Sequence, residues 1–430
     1  MKILLKNISI KGENLADVLI DNEKIFKIAK PNSIIDSQAE NIDCTGKILL
    51  PGFVDLHTHL REPGREDSET IASGSAAAAK GGFTAVHAMA NTLPVADTAG
   101  VVEQVWNLGK SVGLVDVIPI GAVTIGLQGE QLAELGAMAD SKARVRIFSD
   151  DGKCVFDPVI MRRALEYVKS FNGIIAQHAQ EPKLTINSQM NESELSGKLG
   201  LVGWPAVAEE AIVARDVLLA EHVQSKLHIC HVSTSGTVEI LEWAKEKGVK
   251  VTAEVTPHHL FLDEEVCKSY DAKFKVNPPL RSKNDVESLR NALAAGIIDV
   301  VATDHAPHPI EDKEGEWNTA AFGMTGLETA LSVVATAMID TKKITWSDIA
   351  RIMSEKPAEI AQLKDHGLAI KEDEIANICV VDPNITWQVD ANQTYSLSTN
   401  NPFDKQTLKS KVIHTILRGK FTLKNGEIVK

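Results

Sequence analysis

The sequence predicts an α/β protein: a parallel (β/α)8 barrel with a small β-sandwich-like domain formed by the N- and C-terminal segments. Three observations lead there. Short, nearly continuous apolar stretches recur through the middle of the chain, helical stretches follow most of them, and both ends are strand-rich and broken by turns. Near-continuous apolar strands belong to a sheet buried on both faces, and alternation with helices makes that sheet parallel. A doubly wound open sheet is the rival, but no Gly-x-Gly-x-x-Gly follows the first strand.

Residues 1–49 read as strands separated by turns. Ile3-Leu4-Leu5, Ala16-Asp17-Val18-Leu19-Ile20 and Lys24-Ile25-Phe26-Lys27-Ile28 alternate or are rich in β-formers, with Gly12, Asn22 and Pro31-Asn32 between them. Residues 366–430 look alike, through Ile378-Cys379-Val380-Val381, Val412-Ile413-His414-Thr415-Ile416-Leu417 and the turn Lys424-Asn425-Gly426-Glu427. Apart, each piece would leave open strand edges, so together they are expected to form one domain. Residues 50–365 are expected to be the barrel. Its strands fall at 52–57, 83–89, 114–120, 145–149, 173–178, 226–231, 249–255 and 298–304, with helices at 69–80, 158–171, 206–221, 237–247 and 284–295.

Composition narrows the function. Lys plus Arg number 45 against 58 Asp plus Glu, a formal charge of −13. That surplus argues against nucleic acid or an anionic membrane as the main partner, but admits a small anion where a local cation or metal offsets the field. The five cysteines are scattered without a Cys-x-x-Cys pair, which points to a reducing, cytoplasmic setting rather than a disulfide framework. No apolar run reaches the roughly 18 residues of a membrane span, and the first residues lack a signal-peptide core.

Barrels of this kind carry their active site at the C-terminal ends of the strands, and here those ends are polar. The first closes with Asp55-Leu56-His57-Thr58-His59-Leu60-Arg61, the fourth with Ser149-Asp150-Asp151-Gly152, the fifth with Gln177-His178, the sixth with Cys230-His231 and the eighth with Thr303-Asp304-His305-Ala306-Pro307-His308. Side chains two apart on a strand share a face, so His57 and His59 converge on one point. Imidazoles joined by carboxylates suit zinc, and His178, His231 and Asp304 extend the set. Alternation sends only one of Asp150 and Asp151 inward, and spacing leaves open which. Arg61 offers a fork for a carboxylate, while Asn91 and Asn277 can donate to and accept from an amide. His258 and His259 read as structural or supporting residues. His87 reads as packing, and His222, His228, His366 and His414 as structural or surface. The stretch Glu311-Asp312-Lys313-Glu314-Gly315-Glu316 reads as a solvated loop with the makings of a lid.

At these residues the chain resembles the amidohydrolase superfamily and, more narrowly, its dihydroorotase family. Asp55-Leu56-His57-Thr58-His59-Leu60-Arg61-Glu62-Pro63-Gly64 is similar to the family's first signature, with Thr58 for the usual Val. Ala302-Thr303-Asp304-His305-Ala306-Pro307-His308, followed by Lys313, is similar to the second. Gly81-Gly82-Phe83-Thr84, Asn91-Thr92, Asp150-Asp151-Gly152, Ala253 to Leu260 and Asn277-Pro278-Pro279-Leu280-Arg281 match in order between about Gly46 and Pro357. Met89-Ala90-Asn91-Thr92 departs from the family's Met-Pro-Asn-Thr, which loosens the turn that aims Asn91; His87 is a second departure.

The resemblance implies that His57, His59, His178 and His231 bind one or two zinc ions. Asp151 takes the bridging place that related hydantoinases fill with a carboxylated lysine, and Asp304 is both ligand and proton shuttle. His59, Arg61, Asn91, Asn277 and His308 hold the substrate, with the Phe322–Gly323 backbone closing over it. The implied reaction is the reversible cyclisation of N-carbamoyl-L-aspartate to L-dihydroorotate in pyrimidine synthesis, with zinc supplying hydroxide and Asp304 acting as base, then acid. Expected partners are that small-molecule pair and a second copy of the chain, or association with aspartate transcarbamoylase. The rivals are an allantoinase or dihydropyrimidinase, and a non-catalytic partner of aspartate transcarbamoylase. Asp151 argues against the dihydropyrimidinase, and the complete ligand set against the non-catalytic protein.

Overall fold

The structure is a computed structural model and describes residues 2–429. Eight parallel strands form the barrel: Phe53–Thr58, Phe83–Ala88, Asp116–Pro119, Ile147–Phe148, Ile174–Gln177, Leu227–Ile229, Val251–Val255 and Val300–Val301. Neighbours pair in parallel in chain order, and a bridge from Gly121 to Phe148 joins the third strand to the fourth. The ring closes where Thr58 bridges His305 and the His59 N–H donates to His305 O at 2.8 Å. Asp55 braces this seam, accepting from Thr303 N at 3.0 Å and Thr303 Oγ1 at 2.5 Å.

Each expected strand is present, and most are shorter than the apolar pattern suggests. The late residues leave the ladder to carry the site: His231 and Asp304 have φ of 30° and 48°, which no strand continues. Val54, Leu56, Ala85, Met89, Ile120, Ile147, Ile174, Ala176, Cys230, Val300 and Ala302 pack together as one buried cluster. The residues between them, including Val86, Phe148, Ile175 and Ile229, belong to the larger cluster shared with the helices, so the alternation of the strands sorts two layers.

Several of the helices begin at side-chain caps. Thr70 accepts from Ser73 N to start Ile71–Gly81, and Asp157 accepts from Val159 N and Ile160 N ahead of Pro158–Val168. Thr234 and Ser282 do the same for Ser235–Glu246 and Lys283–Ala295. Ile71–Gly81 ends at Gly82, whose φ of 92° and close approach to the Phe53 ring leave no room for a Cβ.

Both ends of the chain enter one sheet, nine-stranded among the described residues. Ile48–Pro51 runs antiparallel to Ile378–Gln388, pairing Ile48 with Val381 and Pro51 with Ile378, and so passes through the expected boundary at 49/50. Ile3, Leu5, Ile8, Val18 and Ile20 from one end share a core with Ile378, Val380, Ile416 and Phe421 from the other. Between barrel and sheet, Ala330–Val334, Trp346–Ala350 and Lys356–Ala361 are helical. After Gln388 the chain returns to the barrel mouth, where Asn400 donates to Ala306 O and Gly323 O. No helix is long and apolar enough to cross a membrane among the described residues.

Candidate metal centre and active site

The polar strand ends converge around Asp151. Its Oδ1 lies 3.2 Å from His178 Nδ1, 3.3 Å from His57 Nε2 and 3.4 Å from His231 Nε2, and its Oδ2 lies 3.3 Å from His59 Nε2. Asp304 Oδ1 faces the same nitrogens of His57 and His59 at 3.4 and 3.2 Å. None of the six is more than 5 % exposed. The choice left open between the paired aspartates is resolved by hydrogen bonding. Asp150 turns away and accepts from Val123 N at 2.8 Å, Thr124 N at 3.0 Å and the Thr124 hydroxyl.

The donor set fits a cation. In three imidazoles the far nitrogen is committed: His57 Nδ1 to Glu254 Oε1 at 2.6 Å, His59 Nδ1 to Asn91 Oδ1 at 2.9 Å and His178 Nε2 to Gln180 Oε1 at 2.8 Å. Each of those contacts requires the far nitrogen to donate, which leaves a lone pair on the near one whenever the ring is neutral. The lone pairs therefore point at carboxylate oxygens, and His57 Nε2 is buried without a hydrogen-bond partner. Lone pair facing lone pair is repulsive until a positive ion lies between them. Two donor triads, His57–His59–Asp151 and Asp151–His178–His231, share the one aspartate. Neutral imidazoles and carboxylates are the ligands that zinc accepts.

The same pull acts on protons, the other cation that these rings can accept. Burial opposes charge on His57, yet Asp151, Asp304 and Glu254 outweigh it and raise the imidazole well above its ordinary value. Burial likewise opposes charge on Asp304, but His57 and His59 more than offset it and hold the carboxyl near a pKa of about 2. So many carboxylates facing so many imidazoles form a site that draws in positive charge.

The proposed substrate side chains lie beside this cluster. Arg61, at a φ of 60°, donates from Nε to Pro307 O at 3.1 Å, and its Nη2 lies 3.3 Å from His308 Nε2. Burial pulls Arg61 down to about 10, still charged at neutrality. His308 Nε2 donates to Phe322 O at 2.8 Å, and burial, then Arg61 and Lys313, lower its pKa to about 3, so it is neutral. Asn91 binds His59 and the Asp151 carbonyl. Asn277 donates to Gln180 Oε1 at 3.1 Å, while its Oδ1 is buried and unpartnered, an acceptor left for something else.

Gly323 lies against Ala306 O and the His308 ring. Its N–H donates to Lys275 O at 2.9 Å, and its carbonyl accepts from Lys313 and Asn400. The Gly323 backbone groups are engaged by the protein itself. The stretch 311–316 is exposed at Glu311 and at 314–316 as expected, but it opens with a short helix, Ile310–Lys313, and Lys313 turns inward onto carbonyl oxygens instead of into water.

Several working residues escaped sequence reasoning. Glu254 joins His57 to His228, whose Nε2 lies 3.1 Å away, and also accepts from His231 N at 3.2 Å. A lone carboxylate within an apolar strand was the available signal. His228, read as lacking a partner, is thus part of the support. Gln180 orients His178 and Asn277 together. Asn400 left no signal, since nothing local marks a loop that returns from another domain. His259 is structural as expected, bonded to Thr256 Oγ1 and Pro278 O. His87, as expected, packs within the barrel, bonded to Asp55 O.

Removing the Glu254 charge with Glu254→Gln loosens the hold on His57 and is expected to weaken metal binding by about 10- to 100-fold. Competition against a chromogenic chelator measures it.

Residues 46–237 match a family model described as dihydro-orotase-like. A dihydroorotase of Streptomyces coelicolor is 59% identical over 99% of this chain and 99% of its own length. The chain belongs to the dihydroorotase family. A Mycobacterium tuberculosis dihydroorotase is 54% identical over 100% of both chains. Among solved structures, the L-hydantoinase (dihydropyrimidinase) of Arthrobacter aurescens superposes with a TM-score of 0.89 at 24% identity, covering 100% of this chain and 97% of its own. A dihydropyrimidinase from Brevibacillus agri gives 0.85 at 24% identity over 100% and 96%. At that distance the likeness speaks for the barrel and its outer domain.

Proposed function

We propose that this chain is a dihydroorotase, interconverting N-carbamoyl-L-aspartate and L-dihydroorotate in pyrimidine biosynthesis. The observation that carries the reading is 54% and 59% identity to dihydroorotases over the length of the chain, in a chain that buries four imidazoles and two carboxylates around one point. His57, His59, Asp151, His178, His231 and Asp304 would hold zinc, and the two triads that share Asp151 support two ions. Bound zinc supplies acidified water near neutral pH and a Lewis acid for the amide carbonyl.

The chain's own residues do the rest. Asp304, held ionised, accepts a proton from the attacking water as its oxygen bonds to the amide carbon, and delivers that proton to the ring nitrogen as the carbon–nitrogen bond breaks. Running the same transfers backwards closes the ring. Arg61 pairs with the substrate carboxylate, with Asn91 and His308 alongside, and this local cation admits an anion to a protein of charge −13. Asn277 Oδ1, buried and unpaired, accepts a ring N–H.

The test compares dihydroorotate, allantoin and dihydrouracil as substrates of one preparation whose metal content is measured. Dihydroorotate turned over far more efficiently than the others supports the reading; preference for allantoin or dihydrouracil overturns it. Arg61→Ala is expected to raise KM for dihydroorotate by roughly 10- to 100-fold with kcat changed much less, the weight of a charge-assisted contact. Steady-state kinetics check this.

A further inference from the structure

Two lysines behind the substrate-facing wall take no part in the chemistry above. Lys313, in the second signature stretch, sends Nζ to Ala321 O at 2.8 Å, Gly323 O at 3.0 Å and Lys275 O at 3.2 Å. Lys275, 2 % exposed, sends its own ammonium to Trp317 O at 2.6 Å and Ala320 O at 2.7 Å, and lies 4.4 Å from the Phe322 ring centroid. Every hydrogen-bond partner of both ammonium groups is a carbonyl oxygen among the described residues. Desolvated cations without a carboxylate are poor sources of stability, but an ammonium has three donors and can gather three carbonyls at once.

What they gather is the strand of chain against the substrate pocket. Asn400 grips it from the other side, donating to Ala306 O at 3.0 Å and Gly323 O at 3.1 Å and accepting from His308 N at 3.3 Å. Approach is tight: a Cβ on Gly323 would come 2.8 Å from both Ala306 O and the His308 ring. One residue earlier, Phe322 O accepts from His308 Nε2, and the carbonyl of the adjoining Pro307 accepts from Arg61 Nε at 3.1 Å. The contacts run unbroken from Lys313 through residues 321–323 to His308 and Arg61.

We propose that Lys313 is a positioning residue for substrate binding: it gathers the Ala321 and Gly323 carbonyls so that Phe322 O between them fixes His308 and, through the carbonyl of the adjoining Pro307, Arg61, facing the substrate carboxylate. The proposal rests on the assignment of Arg61 and His308 to that carboxylate made above. Pre-ordering the wall lowers the cost of ordering it when substrate arrives, so the effect falls on binding rather than on turnover.

The test measures kcat, KM, metal content and thermal midpoint for Lys313→Met and Asn400→Ala, assayed well below the unfolding transition. Lys313→Met is expected to raise KM for dihydroorotate about tenfold or more, with kcat within about threefold and metal content unchanged. Asn400→Ala, which removes the second donor to Gly323 O, is expected to raise KM by a smaller factor. A folded, metal-loaded Lys313→Met enzyme with wild-type KM overturns the proposal, as does parallel loss of kcat and metal. If Lys313→Met does not fold, the Asn400→Ala KM decides by the same criterion. If wild-type protein fails to turn over dihydroorotate, the functional reading falls, and this proposal with it.

Discussion

His57→Ala is expected to abolish dihydroorotate hydrolysis and the reverse cyclisation alike, by on the order of 10³-fold or more, because it removes the side chain that ties the metal donors to their support. His57 is fully buried, with one nitrogen against Glu254 and the other facing Asp151 and Asp304. Without the ring, both carboxylates keep their mutual repulsion and lose a shared neighbour, and Glu254 loses its closest partner. Metal content measured with activity on the same preparation is the check. Unchanged ring hydrolysis by the purified variant would contradict the metal assignment.

Asp304→Asn is expected to behave differently. Asparagine matches the aspartate in shape and tolerates the φ of 48° at this position, so folding should survive. The amide can neither accept the proton nor return it, and kcat should fall by about 10²- to 10⁴-fold in both directions. Metal content should be largely kept, since five other donors remain around the point. Turnover within tenfold of wild type would remove Asp304 from proton transfer. A variant that is inactive yet recovers on added zinc would reassign it to metal binding alone.

Much of this was readable in the chain because the relevant signals are local. A buried parallel strand is a short apolar run, and all eight were found that way; five helices were placed within a few residues of their bounds, and four of them start at side-chain caps, Thr70, Asp157, Thr234 and Ser282. The His-x-His at 57 and 59 could be read as convergent because strand alternation is a local rule.

Other features depend on which distant residues meet. Alternation could not choose between Asp150 and Asp151; the loop at 123–124 did, by taking Asp150 for its own N–H groups. Lys313 looked like one more charge in an acidic loop, and only the arrival of Lys275, Ala321 and Gly323 turns it inward. Asn400 lies in a stretch with no pattern of its own and gains its place because the chain returns from the outer sheet to the barrel mouth. The sequence by itself determined the strand and helix alphabet of the barrel and the residue types at its rim, since these follow from period, caps and side-chain chemistry. The tertiary structure decided which carboxylate faces the imidazoles, which ring nitrogen of His57, His59 and His178 is tied up, and what holds residues 321–323, because these depend on partners brought in by the fold.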